Sequence, residues 1–571
     1  MNFERIWHKS YSPGVLPEIA IEQVTMAEAL SRSALVYPQV DALIYMGRHI
    51  TFGTLDRLVN RCARALTDLG VKKGDTVAML LPNVPEVVIA NFAVFRLGAV
   101  TGMNNPLYTE RELIHQLNDQ DAEVIVTLDL LVPRIMKIKD QTKLKTVIAC
   151  HINDYLPFPK KQLFPFLKKA MYRNLDADKD VIEFQSLIKR YPDAPLPNEA
   201  RWDGVAAMLY TGGTTGVSKG VMLTHANLSS NIQQFKSLMP EFKQGQERML
   251  AIFPFFHAAG FTGMQNFGMF TGSTLILVPR PETEIIVEQI RTFKPTFVAG
   301  VPTIFTGLLN HPAFKRLDLS FIKLFLCGAA PLPVPTIKGL NALTGAVIAN
   351  VYGMTETTPF ATASPVHAIL SHDLSKCGTV GLPIPNTDLK IVDVETGTSE
   401  MQPGVAGEIC FKGPQVMLGY YKRPEETAAV LKDGWLFTGD IGMLDEDGYL
   451  TIVDRKKDLI IASGFNIYPK EIDEVLYEHP KILEACTIGV PDEYRGETVK
   501  AFVVIKPGES LSAEEVIQFC KERLTAYKVP KKIEFLEELP KSAVGKVLRR
   551  ELKERELKNQ MSERGVECAR S

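Results

Sequence analysis

Between Asp41 and Tyr352 the chain alternates short, almost uninterrupted apolar runs with stretches of helical character, and this alternation limits the folds open to it. The runs are DTVAMLLP (75–82), AEVIVTL (122–128), VAAMLY (205–210), RMLAIFP (248–254), STLILVP (273–279), PTFVAGVP (295–302), IKLFLCG (322–328) and AVIANVYG (346–353). A strand that is apolar at every position is covered on both faces, which requires parallel sheet flanked by helices rather than a half-exposed antiparallel sheet. From Gly378 to Asp454 the texture changes to short strands with frequent Gly and Pro, the pattern of a small β-rich subdomain. After Asp454-Arg-Lys-Lys-Asp458 come a strand, helices at Pro469–Glu478 and Ala513–Leu524, strands at Glu484–Val490 and Thr498–Ile505, and a terminal charged helix.

The expected fold class is therefore α/β. A large N-terminal domain (1–455) of layered α/β subdomains includes the β-rich part (about 378–455), and a smaller, mobile α+β domain (456–571) follows. The full length of 571 residues fits several units, since roughly 100–200 residues make one domain. The longest apolar stretch, Val87 to Val100, is interrupted by Asn91 and Arg96 and falls short of the ~20 residues a membrane span needs, so it reads as a buried helix. Phe158–Lys169, with KKQLFPFLKK at its centre, is a basic, aromatic insertion expected on the surface, and LKERELKNQMSERGVECARS at the end reads as a fraying tail.

Composition excludes some classes. With 46% hydrophobic and 23% charged residues the chain has the make-up of a globular protein, and a net charge of −2 gives no basic footprint for nucleic acid. Eight scattered cysteines without a C-x-x-C pair, and a beginning (MNFERIWHKSYSPG) without an apolar run, point to a reduced, cytoplasmic setting.

The motif richest in chemistry is Tyr210-Thr-Gly-Gly-Thr-Thr-Gly-Val-Ser-Lys-Gly220, lying between the runs VAAMLY and VMLTH. Gly212, Gly213 and Gly216 let backbone N–H groups approach a polyanion, the hydroxyls of Thr211, Thr214, Thr215 and Ser218 donate hydrogen bonds, and Lys219 adds charge. This is a phosphate cradle, but neither a Walker A loop, because Gly216 is followed by Val217-Ser218-Lys219-Gly220, nor a G-x-G-x-x-G turn.

At this loop the sequence resembles the adenylate-forming superfamily of acyl-CoA synthetases, peptide-synthetase adenylation domains and beetle luciferases. Further stretches carry the likeness in the family's order: Asn350-Val-Tyr-Gly-Met-Thr-Glu-Thr357, Gly434-Trp-Leu-Phe-Thr-Gly-Asp440, Asp454-Arg455 and Pro540-Lys-Ser-Ala-Val-Gly-Lys546. The resemblance implies that ATP binds the 210–220 loop with its adenine against Tyr352, Gly353 and the small-residue loop Gly328-Ala329-Ala330, near Thr355. It implies that Asp440 holds the ribose, that Arg455 reaches ribose or phosphate, and that Glu356, with Thr211 a second candidate, ligates Mg²⁺, for which a hard oxygen is suited. Lys546 is the implied catalytic cation, because a carboxylate approaching the α-phosphate needs its anionic charge offset. His257, in Phe253-Pro-Phe-Phe-His-Ala-Ala-Gly260, is placed by the family pattern between carboxylate and phosphate, where a core histidine is the plainer reading. Phe261 is either a gate to an acyl tunnel or a core phenylalanine.

Three acceptors are in question. No chain remains after Lys546 for a carrier domain, and no motif carries oxygen chemistry, which leaves free CoA, with Ala462-Ser-Gly-Phe-Asn-Ile-Tyr-Pro469 (Gly464 and Phe465 in particular) matching the loop that lines the pantetheine path. The stretches 433–440 and 448–455 closely resemble the signature of fatty-acyl-CoA synthetases, and the continuation 456–473 is most like bacterial long-chain fatty-acid–CoA ligases. A tail of a dozen carbons offers roughly 9 kcal/mol of burial at about 0.8 per methylene. The expected reaction is acyl-AMP plus pyrophosphate formation, then acyl-CoA plus AMP, with the C-terminal domain swinging about Lys457 between the steps. Alternatives are a medium-chain or aryl-acid CoA ligase and a non-catalytic nucleotide- or acyl-binding protein. Fatty acid, ATP and CoA are the expected partners; a homodimer is compatible with this reading, as is peripheral attachment to the cytoplasmic membrane face through Pro159–Lys169, whose plainer reading is an exposed loop.

Overall fold

The computed structural model describes residues 5–176, 178–211, 218–328, 332–365, 376–462, 465–492, 496–542 and 547–556, with backbone only at 465 and 466. The chain is α/β, with a large N-terminal part and a smaller C-terminal one. Its contacts group into two units: Met1–Leu389 with Phe411–Leu436 and Asp447–Tyr449, and Lys390–Cys410 with Phe437–Glu446 and everything from Leu450.

The first unit contains two sheets. In one, the parallel strands Val347–Tyr352, Leu324–Cys327, Phe297–Gly300, Arg248–Ala251, Thr274–Leu277 and Asp41–Tyr45 lie side by side, with Arg48–Thr51 antiparallel at one edge and Thr362–Ala363 and Leu382–Pro383 at the other. In the other, Val205–Thr211, Val100–Met103, Thr76–Leu80, Val124–Leu128, Thr146–Cys150 and Val181–Glu183 run parallel, and Lys219–Thr224 and Gly419–Tyr420 continue it antiparallel. All eight apolar runs form strands, and six of them lie entirely among parallel neighbours, as continuous burial demands; Val205–Thr211 and Val347–Tyr352 each have one antiparallel neighbour.

The helix Pro85–Arg96 has all 12 residues buried and shares one core with residues of both sheets, among them Leu43 and Leu275 of the first and Val77 and Leu209 of the second. It begins at Pro85, where a missing N–H costs nothing. It stops short of the expected extent: Leu97 caps it, Gly98 turns at φ +62 where an added Cβ would lie 2.6 Å from the Glu199 carbonyl oxygen, and Val100 already opens a strand. Its one cation, Arg96, is buried and satisfied by Asp56 (2.7 Å), the Ser31 hydroxyl (3.0 Å) and Asn60. His225, buried at the start of the helix His225–Ser237, accepts the Met26 N–H at 3.2 Å and meets the Phe95 ring edge-on; burial pushes its imidazole down to about 3.

In the second unit, residues 390–392, 407–410, 437–444 and 450–455 belong to one small sheet. A second sheet pairs Phe465–Ile467, Ile460–Ala462, Gly496–Ile505 and Ile482–Asp492, and Lys532–Phe535 joins Gly496–Ile505 in parallel, a strand the sequence reading missed because its apolar residues are few. Helices Pro469–Tyr477 and Ala513–Lys521 pack on one face of this sheet. Its other face takes Leu539 and Leu552. Leu552 therefore corrects the expectation of a tail beginning there: residues 549–556 are helical, Leu552 is buried, and Glu556 receives a 2.6 Å bond from Lys500. The seven described cysteines are buried, and no helix among the described residues is long and apolar enough to cross a membrane.

Candidate functional site

The Gly- and Thr-rich motif is a hairpin. Tyr210 pairs with Gly220 and Thr211 with Lys219, so the two arms hold the ends of the loop side by side. Gly212, Gly213, Thr214, Thr215 and Gly216 lie outside the described residues. On the returning arm Ser218 accepts a 3.2 Å bond from Gln116, and Lys219 is mostly buried, ion-paired with Glu426 and 5.0 Å above the Tyr420 ring.

Glu356 comes to the same place from another direction. It sits, buried, on the short 3-10 turn Thr355–Thr357 after the strand Val347–Tyr352, and that turn packs against both arms of the hairpin. The Tyr420 hydroxyl donates to Glu356 Oε1 at 2.8 Å, and the Glu356 carbonyl accepts the Met417 N–H at 2.9 Å. Because Gly419–Tyr420 is itself a strand on the hairpin's outer edge, the sheet ladder fixes Tyr420 between Lys219 and Glu356. Burial, and then the Glu356 charge, pushes the phenol far above its ordinary range, so it remains a proton donor. Among the described residues no group of three or more His, Cys, Asp or Glu is placed to hold a metal. The chemistry of Glu356 and Thr211 suits an ion that takes most of its ligands from phosphate and water.

Tyr352 and Gly328 stand at the carboxyl ends of adjacent parallel strands, where open α/β sheets bind ligands. The Tyr352 ring is 6.1 Å from that of Phe411. Gly353 has no room for a side chain, since a Cβ there would lie 1.6 Å from the Pro359 carbonyl oxygen. Ala329 and Ala330 lie outside the described residues. Thr355 opens the turn that carries Glu356, and its carbonyl accepts from the Thr358 N–H at 3.2 Å.

His257 follows the strand Arg248–Ala251 in the same sheet. The segment leading to it is pinned by Asn83, which donates to the carbonyls of Ala251 (3.0 Å) and Phe253 (2.9 Å) and accepts the Phe255 N–H (2.9 Å). The His257 ring caps a helical stretch by accepting the Ala259 N–H at 3.4 Å, and that stretch widens into a π-helix, Phe261–Asn266. Phe261 is fully buried with its ring 6.2 Å from Phe95 in an edge contact, so as a gate it has to leave a packed position. The Thr262 hydroxyl, the Gln265 amide nitrogen and both amide atoms of Asn266 are buried on this π-helix without a hydrogen-bond partner among the described residues.

In the second unit Asp440 and Arg455 are direct cross-strand neighbours, with Arg455 Nε 3.4 Å from Asp440 Oδ1. The Asp440 N–H donates to the Thr438 hydroxyl at 3.1 Å, and Glu408 ties the turn by accepting from the Gly439 N–H (3.1 Å) and Lys456 (2.8 Å). Lys457 is exposed on the turn Lys456–Asp458. Asp454 is buried, accepting the N–H groups of Lys470 and Arg455, both at 2.7 Å, with Arg549 3.7 Å away. Gly464, the side chain of Phe465 and Lys546 lie outside the described residues.

Sequence reasoning missed Tyr420, Glu426, Asn83 and Glu408. Asn83 alone left a trace, as a polar residue stranded between an apolar strand and a helix-starting proline.

Two α/β sheets around a buried helix, with a hydroxyl-rich hairpin and a carboxylate at the strand ends, define a nucleotide-handling enzyme of the layered α/β class. The chain belongs to the AMP-binding enzyme family: residues 30–421 match the AMP-binding enzyme description and 471–546 the AMP-binding enzyme C-terminal domain. It is 43% identical over 562 residues (98% of this chain, 99% of the relative) to the long-chain-fatty-acid–CoA ligase of Bacillus subtilis (strain 168). Among solved structures it is similar to the anthranilate CoA ligase AuaEII in complex with anthranoyl-AMP, with TM-score 0.83 and 25% identity, covering 94% of this chain and 98% of that one. It is also similar to ATP-bound MatB from Rhodopseudomonas palustris, with TM-score 0.80 and 30% identity over 92% of this chain and 98% of the other.

Proposed function

We propose that the protein is an ATP-dependent ligase that joins a fatty acid, long-chain acids above all, to coenzyme A. In the first half-reaction a carboxylate oxygen of the acid attacks the α-phosphorus of ATP and pyrophosphate leaves, giving acyl-AMP. In the second the CoA thiol, losing its proton, attacks the acyl carbonyl and AMP leaves.

The observation that carries this reading is the convergence of Lys219, Tyr420 and Glu356 on one hairpin at the strand ends of the first unit, joined by a cation–π contact and a 2.8 Å hydrogen bond. The hairpin loop would hold the phosphates, Tyr352, Gly353 and Gly328 the adenine, and Asp440 and Arg455 the ribose. Mg²⁺, held by Glu356 with Thr211, would offset phosphate charge. His257 orients the carboxylate, Lys546 stabilises the charge that develops as it attacks, and Gly464 and Phe465 line the thiol path. The domain boundary falls at 455/456 with Lys457 as pivot, a reading supported by the turn Lys456–Asp458 directly after the strand Leu450–Arg455. The full-length likeness to a long-chain ligase supports the acid class.

The test is pyrophosphate release and CoA-thioester formation with straight-chain acids from acetate to C20 and aryl acids as controls. Long-chain acids are expected to give the highest kcat/KM; a maximum at medium-chain or aryl acids replaces the acid class, and no pyrophosphate with any acid overturns the whole reading in favour of a binding protein.

A further inference from the structure

We infer that the helix Lys160–Leu167 and its flanks form a docking element for an anionic lipid surface. Phe158, Phe166 and Leu167 are 84%, 74% and 73% exposed, and Leu163 is 48% exposed. Single apolar residues on a surface are ordinary, but four large ones within ten residues make a patch. Leu163, Phe166 and Leu167 recur at spacings of three and four, so they share a face of the helix. Phe164 is buried, and Lys161 is turned inward, its ammonium donating to the Asp154 carbonyl at 2.9 Å while its own carbonyl accepts from Asn153 at 3.1 Å. These anchors fasten the element to the body and hold the apolar face outward.

Charge identifies the occupant. Lys160 stands at the beginning of the apolar face and Lys168 and Lys169 at its end, all exposed. Among the described residues, Lys161 is the one lysine of the four in an ion pair, with Asp154. From Tyr155 to Leu175 the chain has these four lysines and Arg173 and no carboxylate, in a protein whose net charge is −2. An apolar face with a rim of one sign fits a bilayer carrying acidic headgroups: rings and leucines enter the headgroup–acyl boundary while lysine stems reach the phosphates. A second copy of the chain, meeting this face through a two-fold axis, would set lysine against lysine, which opposes self-association.

The experiment needs neither ATP nor CoA, so its outcome is separate from that of the catalytic reading. Full-length protein is sedimented with vesicles of phosphatidylcholine alone or mixed in equal parts with phosphatidylglycerol. Binding to the mixed vesicles, weakened by high salt, is expected. At about fivefold per lysine, the variant Lys160→Glu, Lys168→Glu, Lys169→Glu should lose roughly 100-fold or more in partitioning, and Phe158→Ser, Phe166→Ser, Leu167→Ser about tenfold or more. All six positions are exposed, so thermal midpoints should stay at the wild-type value, and that measurement controls for folding. Wild-type protein that ignores the anionic vesicles overturns the inference. So does binding that neither folded variant weakens, or a serine variant that changes the oligomeric state in gel filtration while vesicle binding is unaltered.

Discussion

Tyr420 acts through one hydroxyl. Its bond to Glu356 aims a buried carboxylate, while its ring carries the Lys219 ammonium. Tyr420→Phe keeps the ring and leaves that carboxylate oxygen without its donor, a loss worth about 1.5 kcal/mol or more for a charged acceptor. The KM for MgATP should rise about tenfold, with little change in the KM for the acid, read from initial rates over a Mg²⁺ and ATP grid; equal shifts in both would deny Tyr420 a role in aiming Glu356. Lys546→Ala belongs to the same scale. Removing its ammonium should slow pyrophosphate release roughly 100- to 1,000-fold and spare thioester formation from supplied acyl-AMP, and near-wild-type pyrophosphate release would refute the assignment. The glycines and threonines of 211–216 stand out in the sequence as a candidate phosphate loop because their chemistry is local. Tyr420 and Glu426 were not, because their meaning comes from a strand pairing between residues about two hundred positions apart, Tyr420 with Val221.

Among elements, the segment from the strand Arg248–Ala251 to His257 depends on Asn83, whose three hydrogen bonds replace a sheet ladder that has ended. Asn83→Ala leaves two carbonyls and an N–H without their partner and should destabilise the first unit by about 3 kcal/mol, seen in urea unfolding. A further loss of acid affinity without change in ATP affinity would show that this segment positions His257; unaltered stability would show that water replaces the amide. Sequence alone located eight of the parallel strands because a run covered on both faces has no polar gaps, and it passed over Asp41–Tyr45, Val100–Met103, Thr146–Cys150 and Val181–Glu183. It could not foresee the π-helix at Phe261, since its widened turn is imposed by packing and leaves no periodicity. The end of the Pro85 helix escaped for a similar reason: apolar residues continue through Val100, and only the crowding at Gly98 marks the turn. The strand at Lys532–Phe535 was lost in charged sequence, and Leu552, a single apolar residue among charges, gave no sign that it completes a core.

For the molecule as a whole, acidity is a clear probe. Folded His225 titrates near 3, well below its ordinary 6.5, because it is buried. The unfolded chain takes up a proton below 6.5 that the folded chain refuses, so this contribution to stability is present above 6.5 and is lost as pH falls from there toward about 3. By pH ~5 the loss is about 2 kcal/mol. Urea unfolding at pH 7 and 5 should show a smaller drop for His225→Asn than for the wild type; parallel drops would mean the imidazole is not excluded from protonation. Lys457→Pro tests the pivot: adenylation is expected to persist while thioester formation fails, and equal loss of both steps would count against a pivot there.

The helix Pro85–Arg96 has no face left for solvent. Each sheet of the first unit uses it as filling, and neither could be separated from the other without exposing a row of Val, Ile and Phe side chains. A limited digest should therefore never yield a stable piece holding one sheet alone, and gene fusions that split the chain between Leu81 and Val100 should precipitate. Diversity among such proteins has to arise at the rims, in loops and insertions, because the middle admits no seam.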